Sequence, residues 1–475
     1  MDSLYQGDDP IAACDSMYKY VASTMNWTYC DKLNGPDMDA DFLVKEQTGD
    51  CNAIAAFTAF VMRAVGIPVA VDSYIYSPEL ANLHCWNAVI GKDGKVAPFT
   101  FGEVRPSQSG KFYRKSGKVY RNSFVMNTAI LQKSGMNLLP GSLVNIHWKD
   151  VTDSYYPSNE VKVDCSLAKG EDIQEVFLGV FSINGWVAIG MADSYKGSIA
   201  IFRNIESDNV YVPLYLKEGR LNPVGFPFRL DSECQKVVSY EPTGEKMEQM
   251  VVERKYPLTK GINGYMKRMT NGRFEAADNK DFKNATILYQ LGEKEWPERV
   301  INEQRIDNPR PFRYVRYISA DKYPGDIAEV AWYGKNGQKL EGKLLGTPAY
   351  RDLSECALSN AVDGDILTFF SSAQSPGWIG LDLGVEKVIE RIAYSPRNDD
   401  NFIREGDEYE LFYFSAYGWM SLGKQTGTSS AKLIYKDVPS NAIYWLRNLT
   451  KGKEEQIFTY ENGKQCFNYE RGREF

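Results

Sequence analysis

Thr48-Gly-Asp-Cys-Asn-Ala-Ile-Ala-Ala-Phe-Thr-Ala-Phe-Val-Met-Arg-Ala-Val-Gly-Ile-Pro68 is the stretch from which the rest of the chain is read. Ile54, Phe57, Val61 and Val65 recur at helical spacing and predict a helix with one face in a core. Thr48 or Asp50 can cap its start, Gly66 suits the position just past its end, and Pro68 keeps it from resuming. Cys51 then sits in the first turn, where unpaired backbone N–H groups and the positive end of the helix dipole converge. That location favours thiolate over thiol.

A nucleophilic thiol needs a base, and the chain has 2 histidines. His84 lies in Leu83-His-Cys-Trp-Asn-Ala-Val-Ile90, where alternation predicts a strand with His84, Trp86, Ala88 and Ile90 on one face and Cys85, Asn87 and Val89 on the other. A second strand is expected over residues 69–76, between the helix and the histidine strand. A thiol on a helix followed by strands carrying an imidazole is a nucleophile–base arrangement. The other histidine, His147, is flanked by Ile146 and Trp148 and reads as structural.

Gly49-Asp-Cys51, Arg63-Ala-Val-Gly-Ile-Pro68, His84-x-Trp86-Asn87 and the turn at Asp93-Gly94 follow one another in an order that resembles the transglutaminase-like (papain-like cysteine) superfamily, over roughly the first quarter of the chain. The resemblance implies an α+β domain doing amide or acyl chemistry, with Cys51 as nucleophile, His84 as base and Trp86 on the substrate side. It also implies an upstream Gln or Trp that helps bind the oxyanion, either Gln47 or Trp27 here, together with the backbone N–H of Cys51. The sequence departs from the family at the third catalytic position. Thr100 stands about where an Asp orients the imidazole, and Glu103 is the nearest acid downstream. A threonine can accept from the ring N–H but stabilises imidazolium less than a carboxylate does.

At 475 residues the chain is too long for one core, and about three or four domains are expected. A formal net charge of −7 with no Lys/Arg block argues against nucleic acid as a partner. No apolar run approaches the ~20 residues of a membrane span. The start, Met1-Asp-Ser-Leu4, lacks a charged-then-apolar leader, as in a cytosolic protein or one whose leader has been removed. None of the 8 cysteines forms a Cys-x-x-Cys pair, which argues against a zinc ribbon. A Cys14–Cys30 bridge stays open.

Along the chain, a helix is expected over 10–26 and a basic, mixed segment over 104–139. Short strands from 140 to 248 predict an Ig-like β-sandwich. Beyond it, Phe312-Arg-Tyr-Val-Arg-Tyr-Ile-Ser319 with Asp326-Ile-Ala-Glu-Val-Ala-Trp-Tyr-Gly334 resembles the closing strands of a discoidin-like (factor 5/8 type C) module. Asn360-Ala-Val-Asp-Gly-Asp-Ile-Leu-Thr-Phe-Phe-Ser371, Gly377-Trp-Ile-Gly-Leu-Asp-Leu-Gly384 and Tyr409-Glu-Leu-Phe-Tyr413 resemble the same jelly-roll, galactose-binding-like family. The expected domains are therefore 1–139 (transglutaminase-like), 140–248 (Ig-like), and 249–343 and 344–475 (both discoidin-like). Such modules bind glycans through end loops. Arg397, Asn398, Asp399 and Asn401 could bond sugar hydroxyls, with Trp378 or Trp419 as a stacking face. Asp363, Asp365 and Thr368 cluster hard oxygens around a turn that could hold a structural Ca²⁺; no cofactor is expected for catalysis.

Together these readings describe a multidomain protein, α+β and then all-β. Its expected activity is cysteine-dependent hydrolysis or acyl transfer at an amide of a protein or glycoprotein, positioned by its C-terminal modules. Such a domain combination fits an exported, bacterial protein. The rival expectation is a non-catalytic glycan- or surface-binding protein whose first domain is degenerate, and Thr100 is the residue that favours it.

Overall fold

The fold comes from a computed structural model that describes residues 8–30, 38–80, 82–111, 114–293, 301–307, 310–452 and 454–471. It divides into two compact units, Met1–Pro257 with Ile403–Glu474, and Leu258–Phe402.

The first unit begins with α1 (Pro10–Thr24), α2 (Ala40–Glu46) and α3 (Cys51–Ala64). Asp50 caps α3 by accepting from the Ala53 N–H at 3.0 Å, whereas the Thr48 hydroxyl donates to the Thr28 carbonyl. Ile54 and Phe57 are buried as expected; Val61 and Val65 are half-buried, and Ala55, Ala59 and Met62 lie deeper. Gly66 adopts φ +78° and donates to the Arg63 carbonyl, which ends the helix. Gly49 is required for a different reason: a Cβ there would come within 2.4 Å of the Ala53 Cβ.

α3 packs on an antiparallel sheet of β1 (Val69–Tyr74), β2 (His84–Ile90), β3 (Val96–Phe99), β4 (Tyr120–Asn122) and β5 (Trp148–Asp150), in the order β3-β2-β1-β4-β5. One face meets the helices through Cys14, Met17, Phe57, Met62, Val89 and Phe99. The other buries Tyr74, Trp86, Val119 and Val151. The inner strand β2, next to the central β1, is thus covered on both sides. The first of the short strands expected from 140 onward is absent: Gly141–Leu143 is a helical turn, and only Trp148–Asp150 is extended, paired to β4. The boundary expected after 139 therefore falls inside this domain.

Next come two facing sheets. Strands Glu160–Asp164, Ser194–Lys196 and Ile199–Arg203 form one; Phe177–Ser182, Gly185–Met191, Val212–Lys217 and Arg220–Pro223 form the other. Val161, Val163 and Phe202 from the first meet Leu178, Val180 and Ile189 from the second, which makes a β-sandwich core. The strand Lys246–Val252 then pairs with Leu433–Pro439, and Met250 and Val252 share a core with Tyr409, Leu446 and Phe458. The division expected at 248/249 cuts this strand. It also separates partners that are joined by backbone hydrogen bonds.

The second unit, 258–402, is one sandwich rather than parts of two. Its larger sheet runs Thr286–Gln290, Arg273–Ala277, Pro311–Ile318, Trp378–Val388, Lys343–Gly346; its smaller sheet runs Asn302–Arg305, Arg391–Pro396, Ile327–Tyr333. The boundary expected at 343/344 lies within an edge strand of the larger sheet. Residues 311–318 and 378–388, assigned to separate modules, are neighbours. Gly380 permits that approach, since a Cβ there would come within 2.1 Å of the Val315 carbonyl oxygen. The strand Glu408–Ser415 belongs to the first unit.

Candidate active site

A cleft of about 520 Å³ opens at the N-terminus of α3, lined by Cys51, His84, Trp27, Thr100 and Glu103 among others. Cys51 is half-buried in its wall. The Cys85 thiol hydrogen-bonds to the Cys51 sulfur, and His84 adds a hydrogen bond and its charge. Against the opposing effect of burial, these contacts draw the Cys51 thiol down to about 4. A thiol so lowered rests as thiolate at neutral pH, the form that the start of a helix also favours.

His84 is buried, 6% exposed, and packs between rings. It stacks on Trp86 at 6.1 Å with planes 25° apart, and Tyr74 lies 6.1 Å away on the other strand. Its Nε2 is buried and has no hydrogen-bond partner among the described residues, which leaves Nδ1 as the nitrogen for Cys51. Thr100 lines the same cleft, yet makes no bond to Nε2. Glu103 also lines the cleft but pairs with Arg114 at 3.3 Å. The usual third catalytic partner is thus missing from both expected residues.

Trp86 is fully buried, so it cannot touch a substrate, contrary to expectation. Its indole N–H donates to the Tyr155 hydroxyl at 3.0 Å, and Tyr155 donates to Asp72 at 2.6 Å. Asp72 is closed by a two-pronged pair with Arg121 at 2.8 and 2.7 Å. The ring under His84 is therefore anchored to a buried ion pair on β1 and β4. Gln47 does not reach the cleft lining either. Its side-chain oxygen accepts from the Asn26 N–H at 2.8 Å, which fixes the loop that carries Trp27. Trp27 packs on Phe57 of α3, and its indole N–H is buried with no acceptor among the described residues. Trp27 itself borders the cleft that holds Cys51, whereas Gln47 does not. Of the two upstream residues suggested by sequence, the geometry favours Trp27.

Two features carried no sequence signal. Cys85 faces α3, where its thiol also meets Asn52 Oδ1 at 3.1 Å. The Tyr155–Asp72–Arg121 chain depends on a strand register that only the fold supplies. Cys14 is a free, buried thiol against Met62, so no Cys14–Cys30 bridge forms. His147 is exposed on a loop.

In the second unit the expected glycan residues do not converge. Arg397 is clamped between Tyr265 and Phe369, at 3.8 and 3.7 Å, and pairs with the buried Asp326. Asn398 donates to the Ile366 and Pro396 carbonyls, and Asp399 accepts from Asn401. Trp378 packs elsewhere, with Phe282, Ala277 and Tyr314. Trp419 lies in the first unit, stacked on Trp186. At the expected Ca²⁺ turn, Asp363 spends both oxygens on the Asp365 N–H and the Thr368 hydroxyl. Among the described residues no group of three or more His, Cys, Asp or Glu is arranged to hold a metal. No described helix is long and apolar enough to cross a membrane.

Comparison with known proteins bears on the first domain. Residues 3–99 match the model of the transglutaminase-like superfamily, a span that contains Trp27, Cys51 and His84 and stops one residue short of Thr100. No curated protein matches the chain. A crystal structure of a variant of the major pilin subunit of Bacillus cereus is 9% identical, covering 64% of this chain and 93% of that one. Its TM-score of 0.10 is too low to bear on the fold.

Proposed function

We propose that the chain is a cysteine-dependent hydrolase or acyltransferase that acts on an amide of a protein or glycoprotein: a peptide bond, a Gln side chain or an N-glycosyl Asn. One observation carries this reading, namely that Cys51, His84 and Trp27 line a single cleft. The family matched by residues 3–99 supports the reaction class. In this reading the Cys51 thiolate attacks the amide carbon, and the oxyanion takes hydrogen bonds from the Cys51 backbone N–H and Trp27 Nε1. His84 hands a proton to the departing amine. Water or a second amine, deprotonated by His84, then resolves the thioester.

The test pairs the full chain with its Cys51→Ala variant on three assays: fluorogenic peptide cleavage, incorporation of a fluorescent amine into casein, and deglycosylation of a denatured N-glycoprotein. Turnover in at least one assay is expected, falling by about 10³-fold or more in the variant. Equal rates for both proteins would defeat the proposal.

A second reading rests on the orphaned His84 Nε2. An imidazole without its carboxylate suits a domain that has kept its shape and lost turnover, in a protein that binds surfaces or glycans through its β modules. Under either reading we propose that the C-terminal modules supply targeting, in an exported protein. Absence of turnover in all three assays, with glycan retention by the full chain, favours this second reading.

A further inference from the structure

We propose that Cys51 and Cys85 form a reversible redox pair, in which a hydroperoxide oxidises Cys51 and Cys85 resolves the product to a disulfide that silences the cleft. The proposal rests on Cys51 being a reactive thiolate and not on amide chemistry. Amide cleavage at Cys51 has no step for Cys85, yet this thiol is buried, 4% exposed, beside the nucleophile. Its sulfur lies 3.1 Å from Oδ1 of Asn52, the residue after Cys51, and within hydrogen-bond reach of the Cys51 sulfur. Cys51 itself faces an open cleft that admits a small peroxide. Low thiolate pKa, access from solvent and an adjacent second thiol are the three conditions for reversible oxidation. Cys14 and Cys165 fail the first two, being buried thiols pushed up to about 12 by burial.

The chemistry balances with a hydroperoxide as the oxidant. The Cys51 thiolate attacks the outer peroxide oxygen; an S–O bond forms, the O–O bond breaks, and the alkoxide or hydroxide leaves and takes a proton from solvent. Cys51 is now a neutral sulfenic acid, and the peroxide has accepted two electrons. The Cys51 negative charge and hydrogen bond, which together with burial hold the Cys85 thiol protonated, are then gone. Cys85 loses its proton and attacks the Cys51 sulfur; the S–S bond forms and the hydroxyl departs as water with that proton. A dithiol reductant reverses the step by exchange.

The test treats the full chain with hydrogen peroxide until Cys51 no longer alkylates, then maps its peptides without reductant. The expected product is a peptide pair joined through Cys51 and Cys85, with alkylation fully restored by dithiothreitol. In Cys85→Ser the same treatment should yield a Cys51 sulfenic acid trapped by dimedone. Loss that dithiothreitol cannot restore should then be at least about tenfold faster, through sulfinic acid. A wild-type protein that reaches sulfinic acid with no joined peptide would overturn the pair, whether or not the variant folds. That result would leave a fast-alkylating Cys51, and with it the proposed amide chemistry, standing.

Discussion

The Nε2 of His84 has no hydrogen-bond partner among the described residues, and a buried polar group left unpaired costs about 1–3 kcal/mol. The pairing of Phe99 with Asn87 carries Thr100 toward Trp86 and the His84 end of β2. Thr100→Asp should therefore supply the missing carboxylate and raise kcat/KM about tenfold or more, where the full effect of such a group reaches ~10⁴. An unchanged rate on the substrate found would show that residue 100 does not reach the ring. Trp27→Phe keeps an aromatic ring against Phe57 while removing the N–H together with part of the indole. It should lower kcat about 10²–10³-fold with KM little changed, a split that a merely structural indole would not give. Cys51 and His84 were legible because capping and apolar spacing fix where a residue falls on an element. Trp86 was misread because alternation gives a side chain's face but not its depth, and β2 is covered on both faces. Cys85 escaped for a related reason: its face is opposite that of His84, yet at the strand's end both reach one sulfur.

At the scale of elements, β1 and β4 hold the site from behind. Asp72 is fully buried and Arg121 has 16% of its side chain exposed, so removing one charge strands the other. Asp72→Asn should cost about 3–5 kcal/mol, read as a lower urea midpoint. Because the amide leaves one acceptor oxygen for Tyr155 and Arg121 to compete for, Cys51 alkylation should slow as well, through Trp86 and His84. A variant as stable as wild type would mean that the pair is solvated. The helix α3 and strands β1 and β2 were readable from periodicity and end signals. The segment 142–148 was not: apolar Val144, Ile146 and Trp148 alternate with polar Asn145 and His147 and mimic a strand, while the backbone turns at 141–143.

For the whole molecule, length showed that the chain is too long for one core, and it does divide into separate units, but the boundaries were not legible. Residues 311–318 and 378–388 each look like strands, and nothing local reveals that they pair across more than sixty residues. Nor does any local signal join Lys246–Val252 to Leu433–Pro439, around the second unit. The Ile403 N–H donates to the Glu253 carbonyl at 3.1 Å, so the chain leaves the first unit and returns at neighbouring points. The unit 258–402 has the form of an insertion. Replacing it with a short Gly-Ser linker should leave a protein that melts cooperatively and alkylates at Cys51 at the wild-type rate. Aggregation of that shortened chain would count against an insertion. Beneath all of this lies the claim that the fold holds Cys51 as a thiolate, and its pH profile of alkylation by iodoacetamide tests that claim most directly. Protonation removes the nucleophile, so the rate should rise with pH through about 4 and stay flat to neutrality. A rate that is negligible at neutral pH and climbs only through about 8.5, like a free thiol, would contradict the account.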